Sequence, residues 1–142
     1  MANIKDEAFK WGTSVHEAIF RASGGRLLGK AGGMPVLILE TTGRHSGKAR
    51  TTMLTSPVQD GDRVVIVASY GGDDRHPAWF QNLKANPNVR VTLGGRTNPR
   101  RARVADPDER SRYWPQVTSA YRGYAGYQTK TTREIPLVIL EP

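Results

Sequence analysis

The apolar positions of the chain follow two rhythms. Between Asp6 and about Arg21, Trp11, Val15, Ala18, Ile19 and Ala22 recur at helical spacing, and Ser23-Gly24-Gly25 ends the run. This predicts an amphipathic helix, with Gly29 to Gly33 as a joint, so residues 1–30 are expected to be a helical lead and residues 31–142 the main domain. From Val36 the rhythm is that of strands: Val36 to Thr41, a polar turn Thr42 to Lys48, Ala49 to Val58, the turn Asp60-Gly61-Asp62, and Val64 to Ala68. These predict a three-stranded meander. Pro77 to Ala85 predicts a short helix closed by Asn86-Pro87, and Val89 to Leu93 with Arg101 to Val104 predicts a hairpin around a loop from Gly94 to Pro99. Asp106, Pro107 and Glu109 form a capping-box pattern that starts a helix running toward Thr118. A tyrosine-rich stretch then leads into a last strand, Ile135 to Leu140. Six strands and three helices with hairpin-length connections define an α+β domain with mostly antiparallel pairing. In a domain this small they predict a closed or half-closed barrel, because closure removes edges.

Length and composition narrow the class. The chain has 142 residues, with 15 Gly and 9 Pro, which fits one turn-rich globular core. No apolar run approaches the ~20 residues that span a bilayer. Acidic residues stand at Asp6 and Glu7, where a signal peptide would begin its apolar stretch, so export by that route is not expected and a cytoplasmic location is. Without cysteine there is no disulfide, thiolate metal site or cysteine nucleophile. His16, His45 and His76 lie on separate elements, so no metal site is expected.

Charge points to an anionic partner. Lysine and arginine number 21 against 13 acidic residues, for a net +8, and arginine's planar fork suits phosphate and carboxylate. The densest cluster is Thr41-Thr42-Gly43-Arg44-His45-Ser46-Gly47-Lys48-Ala49-Arg50. Its glycines let the backbone approach an anion, yet it is no P-loop: the spacing is a residue short, Ala49 replaces Ser/Thr, and a strand follows. A solvated basic hairpin is the plain alternative. A second cluster, Ala68-Ser69-Tyr70-Gly71-Gly72, opens a strand end into a Gly-Gly loop before Trp79, which could stack on a flat ring or pack the short helix onto the barrel. Tyr121, Tyr124 and Tyr127 are spaced to share one helix face, lining a pocket or facing a core. Arg96, Arg100, Arg101 and Arg103 form a basic patch on a predicted hairpin, either a solvated tip or a nucleic-acid or anionic-lipid contact.

Taken together these motifs resemble a known family, the deazaflavin-dependent nitroreductases of actinobacteria, split-β-barrel proteins that use coenzyme F420. The resemblance runs from about Pro35 to Pro142. It includes Thr-Thr-Gly-Arg-x-Ser-Gly-x-x-Arg, Ala-Ser-x-Gly-Gly, Pro-x-Trp-x-x-Asn-Leu-x-x-Asn-Pro (Pro77 to Pro87), Tyr-Trp-Pro (Tyr113 to Pro115), the tyrosine triplet and Ile-Pro-x-Val (Ile135 to Val138). It implies that Arg44, His45, Lys48 and Arg50 face the phosphate and glutamyl tail. It implies too that Met53, Leu54, Thr55, Ala68, Ser69, Tyr70, Gly71, Gly72, Ala78, Trp79 and Asn82 complete the coenzyme site, with the ring by Leu54, Ala68, Ser69 and Trp79. Thr55, Tyr121, Tyr124 and Tyr127 are implied to contact the substrate. The implied reaction passes a hydride from the reduced ring to a quinone, an activated alkene or a nitroaromatic. Ser69 and Tyr124 are the expected hydrogen-bond or proton donors to the oxygen that gains charge.

The chain departs from its relatives at His45 and Tyr70, where they often carry lysine, and at Thr55-Ser56, where some carry a tyrosine. The alternatives are an FMN-binding oxidoreductase of the same fold and a basic nucleic-acid-binding module. The N-terminal helix, with Trp11, Ile19 and Phe20 against Lys5, Lys10 and Arg21, is expected either to pack over the barrel or to rest on the inner face of a membrane.

Overall fold

In the computed structural model the described residues are 30–31 and 33–142. The helix expected over Asp6 to Arg21 lies outside them. Among the described residues eight strands form: β1 (Lys30–Ala31), β2 (Met34–Thr42), β3 (Ala49–Thr55), β4 (Val58–Asp60), β5 (Arg63–Val67), β6 (Asn88–Leu93), β7 (Arg96–Val104) and β8 (Leu137–Glu141). Three helices accompany them: α1 (Ala78–Ala85), α2 (Pro107–Ala120) and α3 (Gly123–Thr129). The strand order is β1-β2-β6-β7-β8-β5-β4, with β3 also on β2, and all pairing is antiparallel. No strand pairing joins β3 to β4 or β5, so the sheet curls into a barrel left open on that side.

The longest apolar runs belong to strands buried on both faces. On β5 and just beyond it, Val64, Ile66 and Ala68 enter the barrel interior with Leu37, Leu39, Val138 and Leu140. The alternate residues Val65 and Val67 join Leu137 and Ile139 on the other face, beneath Tyr113 and Val117 of α2 and Tyr124 of α3. Helix α1 contributes Phe80 and Leu83 to the interior, with Trp79 partly buried against the same cluster.

The expected six strands become eight, and the expected meander is replaced. Ala49 to Val58 is two strands, not one: β3 pairs only with β2, and β4 pairs with β5. The break falls at Ser56-Pro57, because proline has no N–H for a ladder. There Ser56 is fully buried and its Oγ donates to the carbonyls of Val58 and Val65 (2.9 and 2.7 Å), which fixes the corner. The expected loop Gly94 to Pro99 is a two-residue turn, Gly94-Gly95, both at positive φ (60° and 80°), which matches strand twist and lets β7 start at Arg96. Pro99 is tolerated because β8 pairs only with Arg101 to Val104.

The basic patch is divided. Arg103 holds Glu109 through two bonds (2.6 and 2.7 Å) and Glu141 through a third (2.6 Å), while Arg100 donates to the carbonyls of Asp62 and Leu140. Only Arg96 and Arg101 of the four stay exposed. Glu109 closes the expected capping box with Asp106, and Arg103's hydrogen bonds hold the Glu109 carboxyl down at about 2.

Candidate functional site

Three pieces make up the candidate site. The first is the turn between β2 and β3. Gly43 donates its N–H to the carbonyl of Lys48 (2.8 Å), and Gly47, at φ 71°, donates to that of Gly43 (2.8 Å). The turn is fastened from α1 by Asn82, which is buried at 5% exposure. Asn82 Oδ1 accepts from the backbone N–H and the guanidinium of Arg44 (3.2 and 3.0 Å), and its amide donates to Thr41 Oγ1 (3.3 Å). Asn82 thus acts on the basic turn from behind. His45, Lys48 and Arg50 are exposed, and among the described residues no carboxylate forms an ion pair with them.

The second piece follows β5. Ala68 is wholly buried and Ser69 nearly so. Tyr70, Gly71 and Gly72 then take consecutive positive φ values of 46°, 63° and 85°. A left-handed tyrosine costs about 1 kcal/mol or more. Passing from the right-handed Ser69 into this run turns successive N–H groups to one side, an arrangement that receives anionic or carbonyl oxygens. Among the described residues the N–H groups of Ser69, Tyr70 and Gly71 donate to nothing. Leu54 and Trp79, both half-buried, pack on the cluster that holds Ala68.

The third piece is the tyrosine helix. Of the expected tyrosine face only Tyr124 and Tyr127 lie on α3, Tyr121 being the extended residue that ends α2, and the three rings pack on one another with centroids 5.2 to 6.2 Å apart. Tyr124 Oη meets Thr55 Oγ1 at 3.3 Å, which links α3 to the end of β3. Burial raises the Tyr124 pKa, Thr55 opposes this, and Tyr121 adds to it. The hydrogen bond with Tyr121, then burial, pushes Tyr127 up to about 12. Both phenols are therefore held protonated. Gly72 sits so close to α3 that an added Cβ would lie 2.7 Å from the Tyr127 carbonyl oxygen.

The structure thus packs Leu54 and Trp79 on the cluster that holds Ala68, runs Ala68 into the Ser69–Gly72 turn, and sets Gly72 by Tyr127 and Thr55 by Tyr124. Ala78 is exposed at the start of α1. Met53 is not brought to the Ala68 cluster: its side chain packs against Val36 and Ile38 on the opposite face of β3 from Leu54. Alternation along the strand explains this. A residue missed in the sequence is Arg133, which fastens the second piece from 60 residues away. No local pattern announces such a tie.

A split barrel that carries an exposed cationic turn and a turn of unpaired amides is suited to a phosphorylated ligand. Comparison with known proteins gives the family. A family model described as F420H(2)-dependent quinone reductase matches residues 13–142. An F420H(2)-dependent quinone reductase of Mycobacterium tuberculosis is 43% identical over 136 residues, spanning 89% of this chain and 87% of its own. A solved F420-H2 dependent reductase is 44% identical with a TM-score of 0.69, covering 75% of this chain and 94% of that one. A second structure, described as a domain-swapped dimer, is 38% identical with a TM-score of 0.70, covering 94% and 99%. The chain belongs to the F420H(2)-dependent quinone reductase family.

Proposed function

We propose that this protein binds reduced coenzyme F420 and reduces a quinone by two electrons. The observation that carries the reading is an exposed cationic turn together with a turn of unpaired amides that follows buried Ala68. Exposed Arg44, His45, Lys48 and Arg50 would hold the phosphate and the glutamyl tail, and Leu54, Ala68 and Trp79 would take the ring. When bound, the coenzyme supplies the hydride. The protein's own part is to bind, orient and protonate. The Ser69 hydroxyl and the amides that follow it stabilise an oxygen as it gains charge. Tyr124 holds a proton at Oη against a pKa raised by burial, ready for the same oxygen, with Thr55 orienting it. Tyr121 and Tyr127 border the acceptor.

Enones and nitroaromatics develop a comparable oxygen charge and belong to the same reading. Among the described residues no helix is long and apolar enough to cross a membrane. The sequence pattern at Trp11, Ile19 and Phe20, flanked by Lys5, Lys10 and Arg21, supports peripheral contact with an anionic membrane on the cytoplasmic side.

The test is a fluorescence titration with F420 and, in parallel, with FMN, followed by turnover of the reduced deazaflavin with a panel of quinones. Micromolar or tighter F420 binding, weakened about tenfold or more by Arg50→Ala and by salt, is expected. Stoichiometric FMN in the purified protein, or no turnover with any quinone, would overturn the reading.

A further inference from the structure

The Ser69–Gly72 turn is strained at Tyr70, and such a conformation persists only where its surroundings over-determine it. A guanidinium from the far end of the chain does this. Arg133, in the segment between α3 and β8, donates Nη1 to the Ala68 carbonyl (3.2 Å), Nη2 to the Ser69 carbonyl (2.8 Å) and Nε to the Asp73 carbonyl (2.8 Å). Its Nη1 also lies 3.3 Å from His76 Nδ1, which must act as the acceptor because guanidinium only donates. The carbonyls bracket the left-handed run on both sides. A planar fork of fixed donors can do this, whereas the single ammonium of a lysine cannot.

The same segment reaches the tyrosine helix. Gln128, next to Tyr127 on α3, donates to the Arg133 carbonyl (2.8 Å) and accepts from the Ile135 N–H (2.9 Å). Gly72 presses on the Tyr127 backbone from the other side. The amide turn and the helix carrying the phenols are therefore tied through one short stretch of chain. Placing a half-buried cation on three carbonyls serves the shape of the turn.

We infer that Arg133 is a positioning residue for coenzyme binding: it holds the Ser69, Tyr70 and Gly71 amides in their common orientation and keeps that turn in register with α3. The inference rests on the reading of the turn as part of the coenzyme site. It adds a residue that contacts neither coenzyme nor acceptor yet sets the affinity for the first.

The test uses the full chain with Arg133→Lys and Arg133→Ala, and reads three quantities: melting temperature, amide hydrogen exchange without ligand, and F420 affinity by fluorescence. In Arg133→Lys the melting temperature falls by a few degrees with the lost carbonyl bonds, and exchange in β8 and α2 rises far less than exchange in the turn. Exchange at Gly72 and Asp73, whose N–H groups bond the Ser69 and Tyr70 carbonyls across the turn, rises about tenfold or more, and F420 affinity falls about tenfold. Arg133→Ala shows the same pattern more strongly, and should it fail to fold the lysine variant decides alone. Unchanged exchange at the turn overturns the inference. So does faster exchange with unchanged affinity, and so does an affinity loss matched by faster exchange throughout β8, which would mark a merely structural role. The parent protein and Arg50→Ala separate this from the broader reading: if the parent binds no F420 the functional reading has failed, whereas parental binding weakened by Arg50→Ala but not by Arg133→Lys sinks only the clamp.

Discussion

Asn82 offers the sharpest test of how the basic turn is built. Asn82→Ala removes three hydrogen bonds, two to Arg44 and one to Thr41. The bond to the guanidinium is of the charged kind, about 1.5–3 kcal/mol, and the other two are neutral, about 0.5–1.5 kcal/mol each. Arg44 is exposed, so water reclaims part of what it loses and the low end applies, about 2.5 kcal/mol in all. Alanine returns about 0.5 kcal/mol through its better helix propensity inside α1. The net loss is about 2 kcal/mol, which in a domain of this size lowers the melting temperature by roughly 6–8 °C. Asn82→Asp separates folding from binding. It keeps the shape and the Arg44 contacts, so melting falls less than with alanine, but it spends the Arg44 charge on an internal carboxylate and weakens F420 binding about tenfold. Circular dichroism melting and a fluorescence titration read the two effects. Should Asn82→Ala melt with the parent, or Asn82→Asp bind as the parent does, the account of the turn is wrong.

Three further outcomes follow from the geometry. Gly72→Ala must place a Cβ 2.7 Å from a backbone oxygen at φ +85°, so it should destabilise by about 2 kcal/mol or more and loosen the turn, seen as lower melting and faster exchange at Tyr70 to Asp73. Tyr124→Phe keeps the ring packing but removes the proton and the Thr55 contact; kcat for quinone reduction should fall about 100-fold with F420 affinity unchanged, and a parental kcat would remove Tyr124 from the chemistry. The third concerns acid. Because Glu109 titrates at about 2 in the fold against 4.5 unfolded, its contribution is complete above pH 4.5 and is lost as pH falls toward 2. Linkage puts that contribution at roughly 3 kcal/mol, and screening through Arg103, whose side chain is 37% exposed, reduces it to about 1–2 kcal/mol. Glu109→Gln should therefore lower stability at pH 7 and flatten its fall between pH 4.5 and 2 in urea titrations; an unchanged acid limb would refute the assignment.

Local signals were legible wherever one stretch of chain decided its own structure. The capping box at Asp106 and Glu109 was readable because both partners lie within one turn. The strand Val64 to Ala68 was readable because burial on both faces leaves a continuous apolar run. The corner at Ser56-Pro57 reads in the sequence as continuous strand, because Ser56 looks polar and surface-like until the Val65 carbonyl arrives from another strand to bond it. Arg103 looked like part of a surface patch for the same reason: Glu109 and Glu141 reach it from separate elements.

The candidate site divides along the same line. The sequence by itself determined which groups are available: a glycine-punctuated basic turn, a Gly-Gly turn after a buried strand, three tyrosines at helical spacing, and a joint set of motifs that identifies the family. These follow from neighbouring residues, whose spacing is covalent. Only the tertiary structure decided which groups act together. It placed Met53 on the far face of β3, set Asn82 behind the basic turn rather than beside an open cleft, joined Tyr124 to Thr55, and brought Arg133 onto the strained turn at Tyr70. Each of these depends on strand register and helix docking. Those are set by the burial of apolar faces over the whole domain, so no window of sequence contains them.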